Sequence, residues 1–278
     1  MSLGVLSVHL DGAPCSVACA FCYLGARQDA RPSDGDGLVR DLRRRPDELE
    51  RAVARLDYAE LAIALSEPAV EQAAVTRLVA IAAARNKPTA ITTTAQIVLE
   101  DPSRLRGAAR LNLSVDPWKL PVDLLDTVRA AASAARAEVR EVVAIATLST
   151  PGFSALLVEG LLAQLLELPV LDGVALNALK PPPPFCDRDF WLRALAKLGP
   201  LLDSQLERRL HLDCYVAARL LGLGGCPGRA DVTPAEGGLA FRSCVYAPGA
   251  DRVESATELA STTAGFVPPA VCPFDTRL

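Results

Sequence analysis

Residues 60–93 carry the pattern that predicts the fold: ELAIAL at 60–65, AVEQAAVTRLVAIAAAR at 69–85 and TAITT at 89–93. The outer two segments are short apolar runs with the length of a buried strand. In the middle segment, apolar residues recur at intervals of three and four, which predicts an amphipathic helix. Asn86 and Pro88 then interrupt the helical pattern. The stretch is therefore a predicted strand–helix–strand unit.

The same alternation continues along most of the chain. Repeated βα units predict a parallel sheet covered by helices, with functional residues on the loops after the strands. We therefore expect an α/β protein, a partial (β/α)6 TIM-like barrel over residues 1–205, followed by a small Cys-rich extension over 206–278. The predicted strands are Leu3–Leu10, Glu60–Leu65, Thr89–Thr93, Arg110–Val115, Val139–Leu148 and Gly173–Leu179. The predicted helices are Asp47–Leu56, Ala69–Arg85, a short Ser103–Gly107, Leu120–Arg136, Ser154–Leu168 and Arg188–Leu202.

Composition and charge exclude several classes of protein. The formal net charge of −4 and the pI of about 5.4 argue against a nucleic-acid-binding protein, which needs a basic face. No uncharged apolar stretch is long enough to span a membrane, and the first ten residues do not read as a signal peptide. We therefore expect a cytoplasmic protein, a compartment where disulfides are rare. Metal ligation then becomes the leading explanation for the eight cysteines.

Three of these cysteines lie close together, at Cys15, Cys19 and Cys22, in a C-x3-C-x2-C pattern. Iron–sulfur clusters are held by Cys thiolates, and three ligands leave the fourth iron of a [4Fe–4S] cluster open to an exogenous group. The amino and carboxylate groups of S-adenosylmethionine (SAM) fit that open position. The alternative is a zinc knuckle or a set of buried thiols. Zinc sites usually repeat C-x2-C pairs or include histidine, and the chain has two histidines.

The trio resembles the radical SAM superfamily, whose motif is C-x3-C-x-aromatic-C; here Phe21 precedes Cys22 and Tyr23 follows it. The segment Leu65–Pro68 is similar to the family's Gly-Gly-Glu-Pro element, with Ser66 replacing a glycine and Glu67 matching the residue that binds the SAM amino group. The alternative for each polar residue at a strand end is a helix cap or a helix-start residue. The resemblance implies cofactor-binding roles for Phe21, Tyr23, Ser66, Glu67, Thr93, Ser114, Asp116, Thr147 and Asn177.

In the last part of the chain, Cys214 and Cys226 are followed by two short predicted strands with Glu236-Gly237-Gly238 between them and then by Cys244. This arrangement resembles the SPASM/twitch extensions of radical SAM enzymes, which bind auxiliary clusters. The cysteine count there favours one auxiliary [4Fe–4S] cluster rather than two. Structural zinc and unligated thiols are the alternatives. Cys186, after the predicted sixth strand, is a candidate hydrogen-atom donor to a substrate radical, an auxiliary-cluster ligand or an inert thiol. The proposed auxiliary ligands are Cys214, Cys226, Cys244 and Cys272.

The resemblance implies reductive cleavage of SAM to a 5′-deoxyadenosyl radical that abstracts hydrogen from a substrate. Modification of a ribosomally synthesised peptide ranks first, with oxidation of a small sugar-like metabolite close behind. A non-catalytic iron–sulfur or zinc protein is the alternative of another class. The expected partners are an external electron donor such as flavodoxin or ferredoxin and, for a peptide substrate, a separate leader-peptide-binding protein.

Overall fold

A computed structural model of the chain describes residues 3–10, 46–65, 72–115, 123–148, 160–178, 196, 209–212, 229–235, 238–242 and 251–264. Strands and helices alternate through the first two thirds of this part of the chain. The strands are β1 Leu3–Leu10, β2 Tyr58–Leu65, β3 Thr89–Thr94, β4 Arg110–Ser114, β5 Glu141–Leu148, β6 Gly173–Ala178, β7 Leu210–Leu212, β8 Arg229–Ala235, β9 Gly238–Arg242 and β10 Asp251–Val253. The helices are α1 Pro46–Arg55, α2 Gln72–Ala84, α3 Ala95–Glu100, α4 Leu124–Ala135, α5 Leu161–Glu167 and α6 Ala256–Ala264.

The strands form one sheet in the order β10-β9-β8-β1-β2-β3-β4-β5-β6-β7. Strands β1 to β7 are neighbours in chain order and all run parallel, as expected for successive βα units. This parallel part curls into a half-barrel, so the predicted α/β class and the partial-barrel arrangement are confirmed. None of the helices in the described residues is long and apolar enough to span a membrane.

The core lies between the sheet and its helices. Residues of one strand face, such as Ile63, Ile91 and Leu111, are fully buried together with Leu78 of α2 and Val128 of α4. Burying a Leu, Ile or Val side chain stabilises the fold by roughly 1.5–3 kcal/mol, so this layer dominates the stability of the half-barrel. The apolar spacing in α2 and α4 matches this role, because each helix turns one stripe toward the sheet.

Most predicted elements are confirmed to within a few residues, and the short predicted helix Ser103–Gly107 corresponds to a 3-10 helix at Pro102–Leu105. One helix was missed and one strand boundary differs. Helix α3 was not predicted: it has six residues, fewer than two turns, and follows β3 directly. The predicted start of β5 at Val139 was wrong, because the Val139 amide still donates to the Ala135 carbonyl of α4 at 3.0 Å. That bond keeps Val139 out of the sheet ladder, and β5 begins at Glu141. The predicted helix Arg188–Leu202 lies outside the described residues except for residue 196.

The described strands of residues 206–278 extend both edges of the half-barrel sheet. Strand β7 pairs with β6, while β8 pairs with β1 in parallel and continues into an antiparallel hairpin with β9. Helix α6 packs against α1, where Glu48 Oε2 accepts a hydrogen bond from the Ala256 amide at 2.9 Å. Arg55 of α1 also donates to the Thr257 hydroxyl. These parts of the second segment therefore share the sheet and the helical layer of the first.

Candidate functional site

The sheet has two faces of different character. Burial alternates along the central strands: in β4, Leu111 and Leu113 are buried against the helices, whereas Asn112 and Ser114 are partly exposed. We call the second face, which carries Ala64, Thr92 and Asn112 in register, the inner face. Because successive side chains in a strand point to opposite faces, the pairing register assigns each residue to one of them.

Three sequence-predicted site residues meet on the inner face at the carboxyl ends of neighbouring strands. Ser114 is the last residue of β4 and pairs with Ile145 of β5. Two residues further along β5, Thr147 pairs directly with Asn177 of β6. All three side chains are partly exposed. Hydroxyl and amide groups are thus gathered at the edge of a parallel sheet where such folds bind ligands.

Thr93, another predicted site residue, lies on the opposite face. Its side chain is 2% exposed, and its hydroxyl has no hydrogen-bond partner among the described residues. The register instead places Thr92 and Thr94 on the inner face, with Thr94 paired to Ser114. In a run of three threonines the sequence alone does not reveal which one is turned inward, because their side chains are identical.

A hydrogen-bonded chain of polar side chains crosses the inner face below the strand ends. Arg110 of β4 donates from Nη2 to Glu60 Oε1 of β2 at 2.7 Å and from Nε to Asn112 Oδ1 at 3.1 Å. Asn112 Nδ2 in turn lies 3.2 Å from Thr92 Oγ1 of β3. Glu141 Oε2 of β5 lies 3.9 Å from Arg110 Nη1. We call Glu60, Arg110, Asn112 and Thr92 the inner-face chain. The sequence predicted no role for Glu60, Arg110 or Asn112, whereas Thr92 belongs to the threonine run that ends the third predicted strand.

Two further residues of this face have distinct surroundings. Ser7 of β1 pairs with Ala62, is 2% exposed, and its Oγ has no hydrogen-bond partner in the described part of the chain. A buried hydroxyl without a partner costs roughly 1–3 kcal/mol, which a polar ligand can recover by bonding to it. At the far edge, His211 of β7 is exposed, and a Cβ at Gly173 would lie 2.7 Å from its Nε2. The same Cβ would lie 2.7 Å from the backbone carbonyl oxygen of Arg209, so this position requires glycine even if the imidazole moves.

A depression on the helical side of the molecule is a second location to consider. It has a volume of about 270 Å³ and is lined by residues of α1 and α2, including Glu50 and Arg51. Arg51 already pairs with Glu48 and with Asp47, and Glu50 pairs with Arg77. Its charges are thus satisfied, and the inner face remains the better candidate.

The remaining predicted site residues lie outside the described residues. In sequence, Ser66 and Glu67 directly follow β2, and Asp116 comes two residues after the end of β4. Within the described ranges no group of three or more His, Cys, Asp or Glu side chains could hold a metal ion. The proposed cluster ligands are not part of those ranges. The residues concerned are Cys15, Cys19, Phe21, Cys22, Tyr23, Ser66, Glu67, Asp116, Cys186, Cys214, Cys226, Cys244 and Cys272.

Comparison with known proteins adds no family assignment. No family model matches the chain. No curated protein matches it either. The features that bear on function are therefore the cysteine spacing, the half-barrel and the polar residues of the inner face.

Proposed function

We propose that the chain is a radical SAM enzyme, in which the thiolates of Cys15, Cys19 and Cys22 bind a [4Fe–4S] cluster and SAM occupies the open iron. The observation that carries the proposal is the position of this trio directly after β1 in a curled parallel sheet. Ligands of such sheets bind at the carboxyl ends of the strands. In the sequence, the trio comes after the carboxyl end of β1.

The described residues fit a nucleoside cofactor. Ser114, Thr147 and Asn177 offer hydroxyl and amide groups on one face of the sheet. Such uncharged groups donate and accept hydrogen bonds, as ribose hydroxyls and adenine nitrogens require. The charged groups Glu60 and Arg110 pair with each other, so they leave no isolated charge facing the ligand. When bound, the reduced cluster supplies one electron that cleaves SAM to methionine and a 5′-deoxyadenosyl radical.

The residues of this chain then bind and orient SAM. Glu67 accepts hydrogen bonds from the SAM ammonium group, a charge-assisted contact. Asp116, Phe21, Tyr23 and Ser66 complete the cofactor site in this proposal. The cofactor-binding role of Thr93 remains a prediction from the sequence, although its side chain lies on the face of the sheet that is turned toward the helices.

The same proposal includes a second [4Fe–4S] cluster on Cys214, Cys226, Cys244 and Cys272, and a hydrogen-atom donor role for Cys186. It places the enzyme in the cytoplasm, with an external flavodoxin or ferredoxin as electron donor. We propose a ribosomally synthesised peptide as substrate, delivered by a separate leader-peptide-binding protein. Oxidation of a sugar-like metabolite and a non-catalytic iron–sulfur or zinc protein are the competing hypotheses.

Electron paramagnetic resonance of the reconstituted, reduced protein tests this proposal. Binding of SAM to the open iron should change the spectrum of the reduced cluster. Addition of SAM to a cluster with four thiolate ligands should leave the spectrum unchanged. A spectrum unaffected by SAM would favour the non-catalytic iron–sulfur alternative. Binding of zinc without iron after reconstitution would favour the zinc alternative.

A further inference from the structure

The inner-face chain fixes the direction of each of its hydrogen bonds. Arg110 can only donate, because a guanidinium carries no acceptor. The atom of Asn112 that lies 3.1 Å from Arg110 Nε must therefore be the amide oxygen. The amide nitrogen is then turned toward Thr92 Oγ1, 3.2 Å away. The orientation of the Asn112 amide thus follows from its chemistry.

The same logic orients the hydroxyl of Thr92. An amide nitrogen can only donate, so Thr92 Oγ1 must accept the bond from Asn112. A hydroxyl carries one hydrogen, and that hydrogen cannot also point at Asn112. Among the described residues Thr92 Oγ1 makes no second hydrogen bond. Its hydrogen is therefore available to an acceptor outside the sheet.

The position of Thr92 makes this hydrogen accessible to a ligand. Thr92 is partly exposed on the inner face, two residues before Thr94, which pairs with Ser114. Its Cα partner on β2 is Ala64, so the neighbouring side chain on that strand is only a methyl group. A hydroxyl with fewer accessible orientations loses less freedom on binding than a freely rotating one, so it binds an acceptor more effectively.

We infer that the Thr92 hydroxyl donates a hydrogen bond to an acceptor atom of bound SAM, and that Asn112 and Arg110 are positioning residues that orient it. The inference rests on the proposed function, because it takes SAM as the ligand of the inner face. Thr92 makes the contact, Asn112 sets the direction of its hydroxyl, and Arg110 sets the direction of the Asn112 amide. Glu60 holds Arg110 in place through the bond at 2.7 Å.

Equilibrium binding of radiolabelled SAM to the anaerobically reconstituted protein tests the inference. Thr92→Val removes the hydroxyl at constant shape and should weaken SAM binding about threefold to tenfold, as for one neutral hydrogen bond. Thr92→Ser keeps the hydroxyl and should bind within about twofold of wild type. Thr76→Val is the matched control, because Thr76 lies on α2 and its hydroxyl bonds to the Gln72 carbonyl at 2.9 Å. It should leave SAM binding unchanged.

Asn112→Asp tests the orientation itself. A carboxylate accepts from both Arg110 and Thr92, so the Thr92 hydroxyl would turn its hydrogen away from SAM. Binding should weaken as much as in Thr92→Val, and adding Asn112→Asp to Thr92→Val should cause no further loss. Unchanged binding by folded Thr92→Val overturns the inference. Additive losses overturn the orienting role of Asn112, and absence of SAM binding by the wild type overturns the proposed function as well.

Discussion

Arg110 on β4 reaches across β3 to Glu60 on β2, and its Nη2 lies 2.7 Å from Glu60 Oε1. The residue between them on β3 is Ala90, which pairs in register with both Ala62 and Arg110. Because Ala90 has only a methyl group, the guanidinium can pass over it. This ion pair therefore joins β2 to β4 across β3, and both of its side chains are less than a third exposed.

This bridge should contribute measurably to stability. Glu60→Gln keeps the shape but removes the charge, so we expect unfolding to become easier by about 1 kcal/mol, with Tm lower by about 2 °C. Chemical denaturation and thermal unfolding measure the change. Asp126→Asn is the control, since the exposed Asp126–Arg129 pair on α4 should contribute at most about 0.5 kcal/mol. Equal effects from the two substitutions would contradict a special role for the bridge.

Thr93→Val should stabilise the protein. The Thr93 hydroxyl is buried and has no hydrogen-bond partner among the described residues, and valine fills the same volume without a polar group. We expect a gain of about 1 kcal/mol in the free energy of unfolding. Thr263→Val is the comparison, because Thr263 is also buried but donates to the Leu259 carbonyl at 2.9 Å. That variant should gain nothing. Weaker SAM binding by Thr93→Val would instead support its sequence-based role as a cofactor contact.

Glu67→Gln should weaken SAM binding at least about tenfold, since a hydrogen bond to a charged group is worth roughly 1.5–3 kcal/mol. The iron content should not change, because Glu67 is not among the proposed cluster ligands. Equilibrium binding and iron analysis on the same preparation separate the two effects. An unchanged SAM affinity would return Glu67 to the role of a residue that favours the start of a helix.

Iron analysis tests the second cluster. Wild-type protein should bind about eight irons per chain, and about four should remain when Cys15, Cys19 and Cys22 are replaced by alanine. Cys226→Ala or Cys244→Ala should lower the iron content and make residues 206–278 sensitive to protease, since metal binding stabilises such segments. Zinc in place of iron in the trio variant would identify a structural zinc site. Binding of neither metal would exclude the proposed auxiliary site.

Sequence periodicity was sufficient to predict β1 to β6 and the helices α1, α2, α4 and α5, because a buried parallel sheet requires apolar runs at regular spacing. It also placed Ser114, Thr147 and Asn177 at strand ends, where the structure brings them to one face. The inner-face chain could not be predicted. Its four residues lie on three different strands, with Glu60 on β2, Thr92 on β3, and Arg110 and Asn112 on β4. The sequence pattern fixes neither the curvature of those strands nor how far a side chain reaches across them.

The most direct test of the account is SAM cleavage by the reconstituted, reduced protein, with and without the trio of cysteines. Wild type should form 5′-deoxyadenosine and methionine in equal amounts, and the variant with Cys15, Cys19 and Cys22 all replaced by alanine should form neither. Chromatography of the quenched reaction measures both products, and omission of the reductant provides the background. SAM cleavage by the triple variant at the wild-type rate would contradict the proposal that these three cysteines bind the catalytic cluster.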